Sequence, residues 1–146
     1  MAGLRVHLES GPETHLVSTD LVGGNLVEAD GVTGKVKPSV PNSTAVLGLA
    51  LGDAAATAGA VAQTTDAWGR PTAGGLKPPN EVAVAFRGSW WIKNTSGTAW
   101  TYGQRLYAGA AGIIQGTVTS GAVVAICIEP AGVANNAEGR VRLTIR

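Results

Sequence analysis

Cysteine, methionine and phenylalanine each occur once in this chain, and the residue classes that usually advertise chemistry are thin throughout. The lone Cys127 can form no disulfide within the chain, and its place in Val123-Val-Ala-Ile-Cys-Ile128 reads as a small apolar core residue rather than a reactive thiol. Charged residues make up only 14% and the formal net charge is +1, which supplies neither a basic field for nucleic acid nor an acidic tail. No apolar run approaches the ~20 residues that span a bilayer. The opening Met1-Ala-Gly-Leu-Arg-Val-His-Leu-Glu9 lacks the unbroken apolar segment of a signal peptide. The expectation is a product of the cytoplasm with no nucleic-acid and no membrane partner.

The usual catalytic arrangements are missing too. The two histidines, His7 and His15, have no cysteine or further histidine at metal-ligand spacing, so no metal and no cofactor is expected. There is no Gly-x-Ser-x-Gly elbow, and Ser89 and Ser120 have no nearby histidine to act as base. Asp53 and Glu129 each follow an aliphatic strand, where an acid serves as a turn former or cap more readily than as half of an acid–base pair. Gly109-Ala-Ala-Gly112 is not followed by Lys-Ser/Thr and is no phosphate loop. The sequons Asn42-Ser-Thr44 and Asn94-Thr-Ser96 have no meaning without secretion. No catalytic residue is expected, and the chain does not read as an enzyme.

What is present is strand. Val82, Val84 and Phe86 alternate with Ala83 and Ala85, and near the end of the chain Val141, Leu143 and Ile145 alternate with Arg140, Arg142 and Thr144. One copy has a small outer face and the other a charged one. These strands close two related halves. Gly23-Gly-Asn-Leu-Val27 corresponds to Gly103-Gln-Arg-Leu-Tyr107 at an offset of 80, and Gly34-Lys-Val36 to Gly112-Ile-Ile114 at 78. Leu47-Gly-Leu-Ala-Leu51 corresponds to Val124-Ala-Ile-Cys-Ile128 at 77, and Val82 to Val141 at 59. With 21 glycines, turns such as Asp30-Gly31, and 146 residues to bury a core, the expectation is an all-β domain, a small β-sandwich or β-barrel-like body. Its expected core is Leu47, Leu49, Leu51, Val82, Val84, Phe86, Val124, Ile126, Ile128, Val141, Leu143 and Ile145. The alanine-rich run Asp53 to Gln63 is the one rival to strand, as a short helix capped by Asp53.

Two segments stand apart from this body. Leu4, Val6 and Leu8 alternate as a strand that Gly11-Pro12 then breaks, so residues 1–20 read as an N-terminal arm and residues 21–146 as the domain. Residues 56–80, with Trp68-Gly-Arg-Pro71 and Lys77-Pro-Pro79, form one long loop, either a partner contact or a surface excursion. Aromatics cluster after the loop: Trp90, Trp91, Trp100, Tyr102 and Tyr107. Adjacent Trp90 and Trp91 must point to opposite faces of a strand, so one can pack inward while the other meets a partner. Trp68, Trp90, Trp91 and Trp100 are the candidate subunit or partner interface.

The order of Gly24-Asn-Leu-Val-Glu-Ala-Asp30, Thr33-Gly-Lys-Val-Lys-Pro38, Val46-Leu-Gly-Leu-Ala-Leu-Gly-Asp-Ala-Ala55, Glu81-Val-Ala-Val-Ala-Phe-Arg-Gly88 and Tyr102-Gly-Gln-Arg-Leu-Tyr-Ala108 resembles the small capsid decoration (cement) proteins of tailed bacteriophages. The resemblance implies a β-domain, often a homotrimer, seated on the major capsid protein at local threefold sites of the outer capsid surface. It implies capsid stabilisation, no catalytic residues, and an N-terminal arm, here Leu4, Val6 and Leu8, that joins the shell. The long loop and the Trp90-Trp91 pair depart from it. A carbohydrate- or host-surface-binding β-module displayed on the virion is the alternative.

Overall fold

Alternation in the sequence becomes alternation in burial most cleanly in the last strand, where Gly139, Val141 and Leu143 are buried and Glu138, Arg140 and Arg142 are exposed. The computed structural model describes residues 12–31, 34–56, 80–117 and 120–145, and among them the only helical element is a 3-10 turn, Ala110–Gly112. Ten strands make up the rest. They are β1 (Glu13–Leu16), β2 (Leu26–Asp30), β3 (Lys35–Pro38), β4 (Val46–Ala50), β5 (Glu81–Ala85), β6 (Ser89–Lys93), β7 (Arg105–Ala108), β8 (Ile114–Gln115), β9 (Val123–Cys127) and β10 (Glu138–Leu143).

They form two five-stranded antiparallel sheets, ordered β1-β5-β4-β2-β3 and β6-β10-β9-β7-β8, and each sheet is one contiguous half of the chain. The two orders are the same, and so are the irregularities. Between Val27 and Glu28 the pairing with β4 skips Leu47; between Leu106 and Tyr107 the pairing with β9 skips Val124. The bridge Leu21 to Ala54 recurs as Trp100 to Val133. The related halves expected from the sequence are therefore the two sheets.

The hydrogen bonds correct two of the expected offsets. Gly24 donates to the Ala50 carbonyl as Gly103 does to Cys127, both at 2.8 Å, which matches β2 to β7 at 79 residues rather than 80. Ala50 pairs with Val84 and Cys127 with Val141, which matches β5 to β10 at 57 rather than 59. The sequence comparison aligned like with like, Leu26 with Leu106 and Val82 with Val141. The backbone ladder instead sets Leu26 against Arg105 and Val84 against Val141.

In the first sheet both faces are buried. Leu26, Val46, Leu49 and Ala85 join a cluster with Trp100, Leu106, Cys127, Val141 and Leu143 of the second half, so the two sheets share a core as a β-sandwich does. Their chain neighbours Val27, Ala50 and Val84 join a separate cluster with Val17, Leu21, Val36, Ala54 and Val82. The first sheet also curls until its two edges meet: Val17 bridges Val36, and Ser18 N–H donates to the Val36 carbonyl at 2.9 Å. The halves are tied by backbone as well as side chains, with Asn42 N–H on the Ala108 carbonyl at 2.8 Å and Gly112 N–H on Ser39 at 3.0 Å.

Several expected positions change. Leu47 is 40% exposed because the bulge turns it out and makes Val46 and Leu49, three apart, share a face. Leu51 is 36% exposed just beyond the strand end. In β9 the inward residues are Val124, Ala125 and Cys127, so Ile126 and Ile128 are only half-buried. Phe86, expected in the core, is half-buried at the edge of the shared cluster. Leu49, Val82, Val84, Val124, Val141, Leu143 and Ile145 are buried as expected. Residues 13–17, read as the end of an arm, are β1 and a 1%-exposed core valine, so the body begins before Leu21. Asp53 to Ala56 are not helical, and residues 57–63 of the alanine-rich run lie outside the described residues. The Asp53 carboxylate accepts the Gly23 N–H at 2.8 Å, while Ala54 bridges Leu21.

Candidate interaction surface

The tryptophan pair splits as strand geometry requires. Trp90, opposite Val141, is half-buried against the shared core, and its indole N–H donates to the Arg87 carbonyl at 2.8 Å. Trp91, opposite Arg140, points the other way and is 67% exposed. The Arg140 guanidinium lies 5.8 Å from the Trp91 ring centroid, and its Nε donates to Glu129 Oε2 at 3.3 Å.

Trp91 stands at one side of the outer face of the second sheet. One rung of that face runs Ser89, Arg142, Ile126, Arg105 across four strands. Adjacent strands are about 4.8 Å apart, so the two arginines flank Ile126 at roughly 10 Å from each other. Both are exposed, and among the described residues neither has an acidic partner. Lys93 adds a cation opposite Glu138.

This face runs into an open cleft of about 700 Å³ lined by Arg87, Gly88, Ser89, Arg142, Leu143, Thr144 and Ile145. Its rim is built on the turn between β5 and β6. Gly88 has φ of +96°, which side chains resist, and its carbonyl accepts Leu143 N–H at 2.9 Å. Together with the Trp90 indole bond, these contacts pin the Arg87 backbone. Its guanidinium lies 5.5 Å from the Phe86 ring centroid.

The other expected site residues fall elsewhere. Trp100 is 1% exposed, with its indole N–H on Ser96 Oγ at 3.2 Å, so it is a core residue and not a surface for a partner. It takes the place that Leu21 holds in the first half, which nothing in the linear sequence marks as interior. Leu4, Val6, Leu8 and Trp68, with residues 57–79 of the long loop, lie outside the described residues. His15 contacts Glu13 at 3.2 Å, and Cys127 is fully buried. Asn94 of the second sequon is also fully enclosed, its amide donating to the Thr98 and Val133 carbonyls while its oxygen accepts from Ser96. No group of three or more potential metal ligands occurs among the described residues.

The arginine rung was only half legible beforehand. Alternation put Arg140 and Arg142 on a charged face, but Arg105 joins them through a register that depends on the bulge at Val124.

No family model matches the sequence, and no curated protein matches it. Among solved structures, the chain is similar to the N base of head fiber gp8.5 of bacteriophage phi29, with a TM-score of 0.58 over 91% of this chain and 92% of that one, at 11% identity. At that identity the likeness is one of fold, matched over nearly the full length of both chains.

Proposed function

We propose that this chain is a structural protein of a phage virion, attached to the outer surface of the capsid through the major capsid protein and stabilising the shell as a homotrimer at local threefold sites. In this reading it works by binding alone, with no catalysis and no cofactor, and is made in the host cytoplasm. The observation that carries the reading is the fold likeness to a phage head fiber base over nine-tenths of both chains. The resemblance of the sequence to capsid decoration proteins points the same way. The proposed capsid contact is the N-terminal segment with Leu4, Val6 and Leu8, whose alternation would suit strand addition on the shell, with main-chain hydrogen bonds and apolar burial gained together.

The test uses purified phage heads that lack the protein. Adding it back should produce extra density at threefold positions in negative-stain images, and heads that stay bare would overturn the reading. Deleting residues 2–12 leaves every described strand in place and should abolish attachment while leaving the melting temperature nearly unchanged. Light scattering of the free and bound protein reads the trimer. Exposure of Trp91 favours a second reading, a glycan-binding module that stacks sugars on that ring. Glycan-array binding that Trp91→Ala removes, with no capsid attachment, would select it.

A further inference from the structure

We infer that the cleft between Arg87 and Arg142, with the outer face of the second sheet beyond it, is a docking site for an acidic segment of a partner protein. Charge complementarity carries the inference. Arg87, Arg142, Ser89 and Thr144 line this cleft, and among the described residues no acidic side chain does. An unpaired arginine is best satisfied by a planar carboxylate, which it can hold through two parallel N–H···O bonds. Arg105 repeats the unpaired cation on the same rung as Arg142, roughly 10 Å away across Ile126. That distance suits acidic side chains two or three residues apart on an extended peptide.

The site is built and not merely charged. The Gly88 turn, the Trp90 indole bond and the Leu143 bond hold the Arg87 backbone in place before anything binds. Charge is otherwise sparse in this chain, at 14%, so an array of unpaired arginines is not the ordinary dressing of its surface. Arginine beside an exposed tryptophan and a half-buried isoleucine is the composition of protein–protein contacts. A net charge of +1 gives no field for a nucleic-acid duplex. The inference stands independently of the capsid reading, since it concerns only the chemistry this face would accept.

The probe is a fluorescent octaglutamate peptide, titrated into the full chain and followed by anisotropy, with octaglutamine as the neutral control. Octaglutamate should bind saturably and weaken with added salt, and octaglutamine should not bind. Arg142→Ala and Arg87→Ala should each weaken binding about tenfold or more. Lys37→Ala, on the first half, should leave it unchanged. Arg142→Ala and Arg87→Ala should melt close to the parent, and Arg142→Lys, which keeps the charge but loses the paired geometry, should bind with an affinity between Arg142→Ala and the parent. Absence of octaglutamate binding overturns the inference, as does binding indifferent to Arg142. So does tighter Arg142-dependent binding of duplex DNA or of vesicles containing anionic lipid. Self-association that Arg142→Ala abolishes, without peptide binding, would assign the face to a second copy and overturn it equally.

Discussion

Leu26, Leu49 and Ala85 occupy one rung of the first sheet; Arg105, Ile126 and Arg142 occupy the corresponding rung of the second. The first three are at most 2% exposed, whereas both arginines of the second rung are exposed. Strand order and bulge position are the same in the two halves, and the bridge Leu21 to Ala54 recurs as Trp100 to Val133, so topology does not decide the chemistry of this rung. Position in the stack decides it. The first sheet lies against the second and must be apolar on that face; the second has nothing described beyond it and carries cations, as terminal units of stacked repeats do.

The sharpest way to break the comparison is to give one rung the residue of the other. Leu26→Arg places an unpaired cation where a leucine is fully buried, and should cost about 4 kcal/mol or more, or prevent folding, in a denaturant titration. A variant that folds with near-parental stability would mean that the two sheets do not share a core through this rung.

Asn94 against Val17 is the next contrast, since the two hold equivalent buried places after β6 and β1. Asn94→Val copies the first half but strands the Ser96 N–H and takes one of two donors from each of the Thr98 and Val133 carbonyls, so a loss of about 1–3 kcal/mol is expected. An unchanged chemical-denaturation midpoint would show that the turn finds other partners.

The matched bulges separate less. Val124 is 1% exposed and Leu47 is 40% exposed. Val124→Ala should therefore cost about 1.5 kcal/mol, and Leu47→Ala roughly a third of that, although it removes more atoms. Equal losses would mean that the bulges do not differ in burial as described.

The smallest effect is the reciprocal of the first. Arg105→Leu should change stability by no more than about 0.5 kcal/mol, because the position is already exposed. Self-association in sedimentation is its expected trace, as an apolar face is extended around Ile126. Marked destabilisation would show that Arg105 has a structural partner.

These contrasts also show where reading by residue type stops. Aligning Leu26 with Leu106 is the natural choice in one dimension, and it hides the arginine rung, because the true partner of Leu26 is Arg105. The alternation of β10 needed no help: its buried and exposed residues follow the written pattern one for one. That of β4 and β9 did, because one bulge residue in each reverses which side chains face inward. Trp91 could be assigned outward only once its neighbour Trp90 was seen to pack on the core. Aromatic content alone does not distinguish a surface ring such as Trp91 from a core plug such as Trp100.

Strand structure in the described parts, two related halves and a core position for Cys127 are legible in the order of the residues alone. Those follow from two-residue periodicity, turn glycines and local hydrophobicity, which act over a few neighbours. Which faces are buried, the curl that brings Val17 to Val36, and the continuous surface shared by Arg87, Arg105 and Arg142 emerge with the fold. Those depend on hydrogen-bond register between strands distant in the chain, where a slip of one residue exchanges inside for outside.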